Sequence, residues 1–277
     1  MGGESRAATT IGNGVSGAGA AAALFAARFA SGQPIVERVA VVVAHPDDET
    51  LWVGSLLPRL VNALLIHVTD GAPHDMADAR RLGFATREDY AAVRAAELDA
   101  ALALLGAAPE RRAYGIADQD AMAGRAALVD RLADDLAGAA VVVTHPYEHG
   151  HPDHDTCAHA VRAAVDRLTE QDRPAPAIVE FACYHLRDGE RRFGAFWPGE
   201  ADEHVRTLPD DERDRIAAAL AAHASQAAVI DGWVPTHERW RAAPAYDFAA
   251  PAAPGGALYD GFGWAMTAAR WRGMAAA

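Results

Sequence analysis

Residues 39–49 read VAVVVAHPDDE, an apolar run that changes abruptly into one imidazole and three carboxylates. A continuous β-branched run is typical of a parallel strand that is buried on both faces of a sheet. The residues that follow predict a helix over 49–62 and a second apolar strand over 63–68. This β-α-β unit indicates an α/β fold.

The rest of the chain repeats this alternation of strands and helices. Further apolar strands are predicted over 139–143 and 177–183, helices over 90–105, 128–136, 155–168 and 210–224, and a polar loop over 69–89. The predicted fold is α/β, with a three-layer, Rossmann-like, mostly parallel sheet that carries helices on both faces. The predicted domains are an N-terminal extension with a short helix over 1–34 and a single domain over 35–277, in which 233–277 form an irregular C-terminal cover.

Composition excludes several classes of protein. The hydrophobic fraction of 51% with 23% charged residues is that of a globular protein. A formal net charge of −13 without any lysine disfavours a nucleic-acid partner. The two cysteines are too few for a disulfide framework. No membrane span and no signal peptide are recognisable, so a cytoplasmic protein is expected. The sequence is compatible with a homo-oligomer.

The first polar motif stands directly after a buried strand. His45, Asp47, Asp48 and Glu49 would repel one another and lose hydration there unless a cation or hydrogen bonds compensate. A bound divalent metal is the simplest compensation. The alternative is a solvated turn in which an aspartate caps the following helix.

The second motif, HGHPDHD at 149–155, also follows an apolar strand. His151 and His154 are three residues apart, so on a first helical turn they can face the same point. Zinc binds imidazole nitrogen and carboxylate oxygen, and each motif supplies ligands that the other lacks. The alternative is a His-rich surface loop. His145, at the start of this segment, is interpreted as a partner that orients a ligand.

The two motifs together resemble the LmbE-like, or PIG-L, family of zinc-dependent N-acetylglucosaminyl deacetylases, with the similarity concentrated in residues 39–160. The resemblance implies that His45, Asp48 and His154 bind one zinc ion per chain. It implies that Asp47 is the catalytic base and that His151, when protonated, stabilises the oxyanion.

Three further residues are implied to bind substrate. Arg94 lies in a segment that resembles the family's R-x-x-E-L, whose arginine contacts substrate; the alternative is an ion pair with Glu97. Asp118 resembles an aspartate that binds sugar hydroxyls. His149 stands where some members carry a tyrosine. A further hypothesis places Glu238, Arg241 and Tyr246 at the substrate rim.

The predicted function is therefore the zinc-dependent removal of an N-acetyl or small N-acyl group from a small-molecule amino sugar. Three alternatives remain open. The H-x-H-x-D-H spacing of residues 149–154 also fits a dinuclear metallo-β-lactamase-like hydrolase. The second alternative is an amidase of a larger sugar conjugate. The third is a sugar-binding or metal-buffering protein without turnover.

Overall fold

The described part of the chain begins with a helix that packs on the central sheet. The computed structural model describes residues 17–199, 202–230 and 232–277. Helix α1 (Gly17–Ala30) corresponds to the predicted short helix and buries Ala22, Ala26 and Phe29. Residues 1–16 of the predicted extension lie outside the described residues. The division of the chain into an extension and one domain stays a prediction.

A mostly parallel β-sheet organises the fold. Its strands and those of a separate hairpin are β1 (Ile35–Val43), β2 (Leu60–Pro73), β3 (Glu110–Asp118), β4 (Val141–Thr144), β5 (Ala177–Phe181), β6 (Tyr184–Arg187), β7 (Glu190–Phe193), β8 (Glu203–Thr207) and β9 (His237–Ala242). The seven-stranded sheet has the order β3-β2-β1-β4-β5-β9-β8, and β6 pairs with β7. Strands β1 to β5 pair in parallel, whereas β9 is antiparallel to both β5 and β8.

Helices cover both faces of this sheet. They are α2 (Asp48–Val53), α3 (Ala77–Arg81), α4 (Arg87–Leu105), α5 (Arg125–Asp135), α6 (Pro152–Glu170), α7 (Asp210–Ala222), α8 (Ala227–Ile230) and α9 (Ala268–Ala275). Val39 and Val41 of β1 pack in an apolar cluster with residues of α4 and α7, whereas Ala40 and Val42 pack in the opposite cluster with residues of α5 and α6. The predicted three-layer α/β class is therefore confirmed. Within the described ranges, we find no helix with the length and apolar content that crossing a bilayer requires.

Helix α2, which follows β1, is shorter than the helix predicted over 49–62. Helix α2 ends at Val53, a 3-10 helix spans Leu57–Arg59, and β2 begins at Leu60. Pro58 accounts for the break, because it lacks the backbone N–H that a continuing helix needs. Where the sequence predicts a polar loop over 69–89, β2 continues and α3 forms.

Two strands of the sheet differ from the sequence-based expectation. Strand β3 lies at one edge and is largely exposed, and its charged sequence ERRAYGIAD suits an edge better than a buried run. Strand β9 lies inside the predicted irregular cover and pairs Trp240 with Phe181 of β5. The cover over 233–277 is therefore only partly irregular, because it contributes both a strand of the main sheet and helix α9.

Candidate metal centre

Two polar segments meet at one edge of the sheet. His45 and Asp48 follow β1, and the second motif follows β4. The two strands are parallel neighbours, with Val39 paired to Val141, so their carboxyl ends lie side by side. The side chains that meet there are buried, and buried charges require partners or a bound cation.

The three predicted metal ligands converge on one point. His45 Nδ1 lies 3.3 Å from Asp48 Oδ2, and His154 Nε2 lies 3.3 Å from Asp48 Oδ1. The two nitrogens are themselves 3.3 Å apart. Donor atoms on a tetrahedral zinc ion, with bonds of about 2.0–2.1 Å, are separated by about 3.4 Å. The spacing of this triad therefore fits a single zinc ion.

Hydrogen-bond partners on the far side of each imidazole orient the triad. His45 Nε2 lies 3.3 Å from both Asp118 Oδ1 and Asp153 Oδ2. A proton held on Nε2 by these carboxylates leaves Nδ1 with a free lone pair. His154 Nδ1 lies 3.4 Å from Cys183 Sγ, so a proton on Nδ1 leaves the Nε2 lone pair free. When each ring carries a single proton, both rings turn a nitrogen lone pair towards the same point.

The electrostatics of the cluster favour a cation. Burial alone would raise the pKa of Asp48, but His154 and His145 hold that pKa well below its ordinary value. Burial likewise opposes ionisation of Asp118, yet His45 lowers its pKa. Asp48 of the triad and the neighbouring Asp118 therefore stay ionised. Burial would lower the pKa of His45, but Asp118 raises it well above its ordinary value.

Other donors come near this point in overlapping groups. Atoms within 4.8 Å of one another occur in the groups His45-His151-His154, His145-His154-Cys183 and His45-Asp118-His151-Asp153. Backbone N–H groups already donate to His151 Nδ1 and to His145 Nε2, each at 3.1 Å. His145 also stacks on His154, with ring centroids 3.9 Å apart, which supports its interpretation as an orienting partner.

The three consecutive carboxylates face three different directions. Asp48 faces the triad. Glu49 is fully buried, and its Oε2 lies 2.9 Å from His67 Nε2. Asp47 Oδ2 accepts a hydrogen bond from Arg94 Nη2 at 2.9 Å. One carboxylate of the three is therefore directed to the predicted metal, and the other two have protein partners.

Asp47 is held in an unusual conformation beside the triad. Its φ of 149° with ψ of −26° is rarely adopted by non-glycine residues and costs about 1–3 kcal/mol. Burial raises the pKa of Asp47 to about 7 against the opposing charge of Arg94, with a contribution from Asp48. A carboxylate with a pKa near neutrality is suited to accept a proton.

Arg94 contacts the predicted base. Its guanidinium is buried and donates to Asp47 Oδ2 and to the carbonyl oxygen of Gly71. Gly71 has a φ of 67°, and a Cβ atom there would clash with Arg94 Nη1, so this close approach requires glycine. Glu97, the alternative partner, instead accepts from the N–H of Ser225 at 2.8 Å. The described contacts make Arg94 a residue that positions Asp47.

His151 is directed towards the same space as the triad. The N–H of Asp153 donates to His151 Nδ1, so a neutral ring carries its proton on Nε2, which lies 3.7 Å from Asp118 Oδ1. Burial and the neighbouring His45 lower the pKa of His151 well below its ordinary value. The structure thus favours a neutral ring, where the resemblance implies a protonated one. A neutral Nε2–H can still donate to a developing oxyanion.

The structure does not bring His149 into the cluster. Its φ is 57°, its ring is buried, and Nδ1 lies 2.8 Å from Asp155 Oδ2. Nε2 lies 3.3 Å from Arg272 Nη1 and 3.4 Å from Tyr147 Oη. These contacts tie His149 to the C-terminal segment, and its contact with substrate stays a prediction. Among the described residues, His149 belongs to none of the donor groups that could share an ion, whereas His151 does.

Four strand ends supply the cluster, although the sequence points to only two. Asp118 is the last residue of β3, and Cys183 follows β5. Asp153 accepts the N–H of Gln119 at 2.6 Å besides facing His45. The sequence motifs alone indicate no role for Asp153 or Cys183. The available signals were the position of Asp153 between two motif histidines and that of Cys183 after a buried strand.

Known proteins are similar to this chain in sequence. The family described as PIG-L, GlcNAc-PI de-N-acetylase, matches residues 40–165. The probable N-acetyl-alpha-D-glucosaminyl L-malate deacetylase 2 of Bacillus anthracis is 30% identical over 199 residues, which cover 68% of this chain and 80% of the relative. The 1D-myo-inositol 2-acetamido-2-deoxy-alpha-D-glucopyranoside deacetylase of Actinosynnema mirum is 30% identical over 237 residues, which cover 69% of this chain and 81% of the relative.

Solved structures share the fold. The crystal structure of the antimicrobial reagent A40926 pseudoaglycone deacetylase Dbv21 is similar with a TM-score of 0.54. The similarity covers 75% of this chain and 97% of that one, at 20% sequence identity. At this identity the likeness supports the architecture described above and carries no further assignment.

Proposed function

The chain belongs to the PIG-L family, and on that basis we propose that it is a zinc-dependent hydrolase that removes an acetyl or similar small acyl group from the nitrogen of an amino sugar or amino-sugar conjugate. The observation that carries the proposal is the mutual 3.3 Å spacing of His45 Nδ1, the Asp48 carboxylate and His154 Nε2. The named deacetylases among its relatives support the reaction class.

His45, Asp48 and His154 would hold one divalent ion and leave a coordination position open. Two imidazole nitrogens and a carboxylate are a ligand set that catalytic zinc takes readily. The bound ion would supply a Lewis acid that lowers the pKa of water and polarises the amide carbonyl. The ionised Asp48 and Asp118 offset the positive charge in this buried region.

Asp47 would accept the proton of the attacking water. Its carboxylate is held by Arg94 at 2.9 Å, which fixes its direction and limits its reorientation. A pKa of about 7 lets Asp47 be ionised before attack and protonated after it. The same proton can then pass to the nitrogen as the C–N bond breaks, so that acetate and the free amine leave.

His151 and Asp118 would act on the substrate itself. The Nε2–H of His151 would donate to the amide oxygen as negative charge develops there. Asp118 carries an ionised carboxylate 3.3 Å from His45 Nε2, at a position where it can accept hydrogen bonds from sugar hydroxyls. In this arrangement Arg94 acts through Asp47 without touching the substrate.

A screen of N-acetylated amino sugars tests the proposal. We expect release of acetate and a free amine from N-acetylglucosamine or its glycosides, loss of this activity with a chelator, and recovery with zinc. We also expect one zinc per chain. Two tightly bound ions per chain would support the dinuclear alternative, and chelator-insensitive turnover would contradict the metal-dependent mechanism. Zinc binding without turnover of any N-acetylated sugar would support the metal-buffering alternative.

A further inference from the structure

A cavity beside the catalytic cluster would receive the part of the substrate beyond the reacting amide. Its volume is about 440 Å³, within the range of small-molecule sites. Its walls come from the turns after β2 and β3 and from the C-terminal segment. Asp118 belongs both to this cavity and to the cluster, where it lies 3.3 Å from His45 Nε2. The cavity therefore adjoins the proposed reaction centre at Asp118.

The C-terminal wall presents an aromatic ring. Trp264 lines the cavity, and its ring centroid lies 5.0 Å from that of His151, at an interplanar angle of 69°. The indole is only partly buried, so part of its apolar surface is available. A flat apolar surface next to polar groups suits a ring-shaped molecule that carries hydroxyl groups at its edge and C–H groups on its face.

The opposite wall is acidic. Asp75, Asp118 and Asp120 line the cavity, and carboxylates accept hydrogen bonds from hydroxyl groups but donate none when ionised. One guanidinium, that of Arg270, also lines it and donates to the carbonyl oxygen of Ala265 at 3.2 Å. Three carboxylates against one guanidinium give the lining a net negative charge.

His74 does not reverse the net negative charge of the cavity lining. Its Nε2 lies 2.9 Å from Asp120 Oδ2, at the exposed edge of the cavity. A protonated His74 would therefore be shared with Asp120 and would bring the charge of the lining closer to neutral without making it positive. A carboxylate on the substrate would meet repulsion from the aspartates, and a hydroxyl would find acceptors.

We propose that the group attached to the amino sugar is a neutral, polyhydroxylated ring and not a carboxylate-bearing group, with Asp75, Asp120 and Trp264 determining this preference. This inference rests on the proposed deacetylase function and specifies its substrate class. Asp118 belongs to the shared part of the site and recognises the sugar itself.

Two N-acetylglucosaminides that differ only in the attached group test the preference. One carries a neutral cyclitol and the other a dicarboxylic hydroxy acid, and kcat/KM is measured for each with the zinc-loaded full chain. We expect the neutral substrate to be favoured by about tenfold or more, because the anionic group would be repelled by the carboxylates of the lining. Added salt should narrow the difference, because it screens exposed charges.

Variants locate the preference in the cavity. Asp120→Asn and Asp75→Asn should each raise kcat/KM for the anionic substrate about fivefold, mainly through KM, and should narrow the preference for the neutral substrate by at least that factor. Trp264→Ala should lower kcat/KM for the neutral substrate about tenfold. Asp210→Asn is the matched control, because Asp210 lies on α7, outside the cavity lining, and it should change neither value.

The outcomes separate this inference from the proposed function. Hydrolysis of both substrates with equal rates or with the anionic one preferred would overturn the inference and leave the deacetylase function intact. A preference that survives both Asp→Asn substitutions unchanged would also overturn it. Release of acetate from neither substrate would overturn the proposed function and the inference together.

Discussion

The parallel half of the sheet and its antiparallel edge both bury charged side chains, but they use them differently. At the ends of β1 and β4, donor atoms of His45, Asp48 and His154 face one another at 3.3 Å. On β9, Glu238 accepts hydrogen bonds from the N–H and hydroxyl of Ser55, at 2.7 and 2.5 Å. Burial of a charge therefore does not identify a site. A site is identified instead by the convergence of several lone pairs on one point.

Hydrogen bonds at the antiparallel edge also argue against a place at the substrate rim for Glu238 and Arg241. Arg241 Nε donates to Glu180 Oε2 at 3.1 Å, and Tyr246 Oη donates to the same oxygen at 2.8 Å. Glu238 is 3% exposed and Arg241 is 5% exposed, so neither presents a free polar group to a substrate. These side chains hold β9 to β5 and to the turn after α2.

Substitution of one carboxylate in each region tests the comparison most strongly. Asp47→Asn should lower kcat about 10²- to 10⁴-fold, because the proposed proton acceptor is lost. The zinc content should not change. Glu180→Gln is the matched substitution at the antiparallel edge and should lower stability, leaving kcat within about threefold. Measurements of kcat, bound zinc and thermal unfolding on both variants test this difference between the two regions. Equal losses of kcat would remove the distinction between the regions.

Removal of the proposed oxyanion donor should have the next largest effect. His151→Ala should lower kcat about 10²- to 10³-fold, because one hydrogen bond to the developing charge is lost. Its fold and zinc content should be retained, which circular dichroism and metal analysis would check. His204→Ala, on β8, controls for loss of an imidazole. Turnover of His151→Ala at the wild-type rate would refute the role.

Stability should respond to pH through the antiparallel edge. Burial raises the pKa of Glu238 to about 7, against hydrogen bonds from Ser55, compared with 4.5 for a free glutamate. The folded protein thus binds this proton more tightly than the unfolded chain. The contribution of Glu238 to stability is fully present below the pKa that it has in the unfolded chain. The contribution is lost as pH rises through the pKa that Glu238 has in the folded protein. Over that interval it amounts to about 3 kcal/mol.

Glu238→Gln would isolate this contribution. The variant lacks the titrating group, so the wild type should lose about 3 kcal/mol more stability than the variant between about pH 5 and about pH 8. Urea unfolding at several pH values measures this difference. Parallel pH profiles for the two proteins would show that Glu238 does not titrate with a raised pKa and would weaken the comparison.

The sequence predicts those features that depend on local pattern. The apolar run of β1, the cap of α4 at Gly106 with its φ of 73°, and the two motifs at strand ends are all readable from spacing and residue type. The mutual approach of the predicted triad follows from the same logic, because parallel strands end at one edge of a sheet.

Features that depend on tertiary packing are not readable in this way. Arg94 reaches Asp47 because Gly71, on another element, leaves room for its guanidinium. His149 is bound by Asp155 and by residues more than a hundred positions later in the chain. No local pattern encodes such a contact. The β9 strand escapes prediction for the same reason, since its pairing with β5 fixes its register.

The smallest expected effect concerns the orientation of a ligand by a thiol. Cys183 Sγ lies 3.4 Å from His154 Nδ1, where a carboxylate or carbonyl oxygen is the usual partner. Cys183→Ala should weaken zinc affinity about 10- to 100-fold, and Cys183→Ser should recover part of the loss, because a hydroxyl can still accept from Nδ1. Cys157→Ala is the control, since that buried thiol packs in an apolar cluster. Competition with a chromophoric chelator measures each affinity. Equal affinities in all variants would mean that Cys183 only fills space, and that ring contacts such as those with His145 and Tyr184 orient His154.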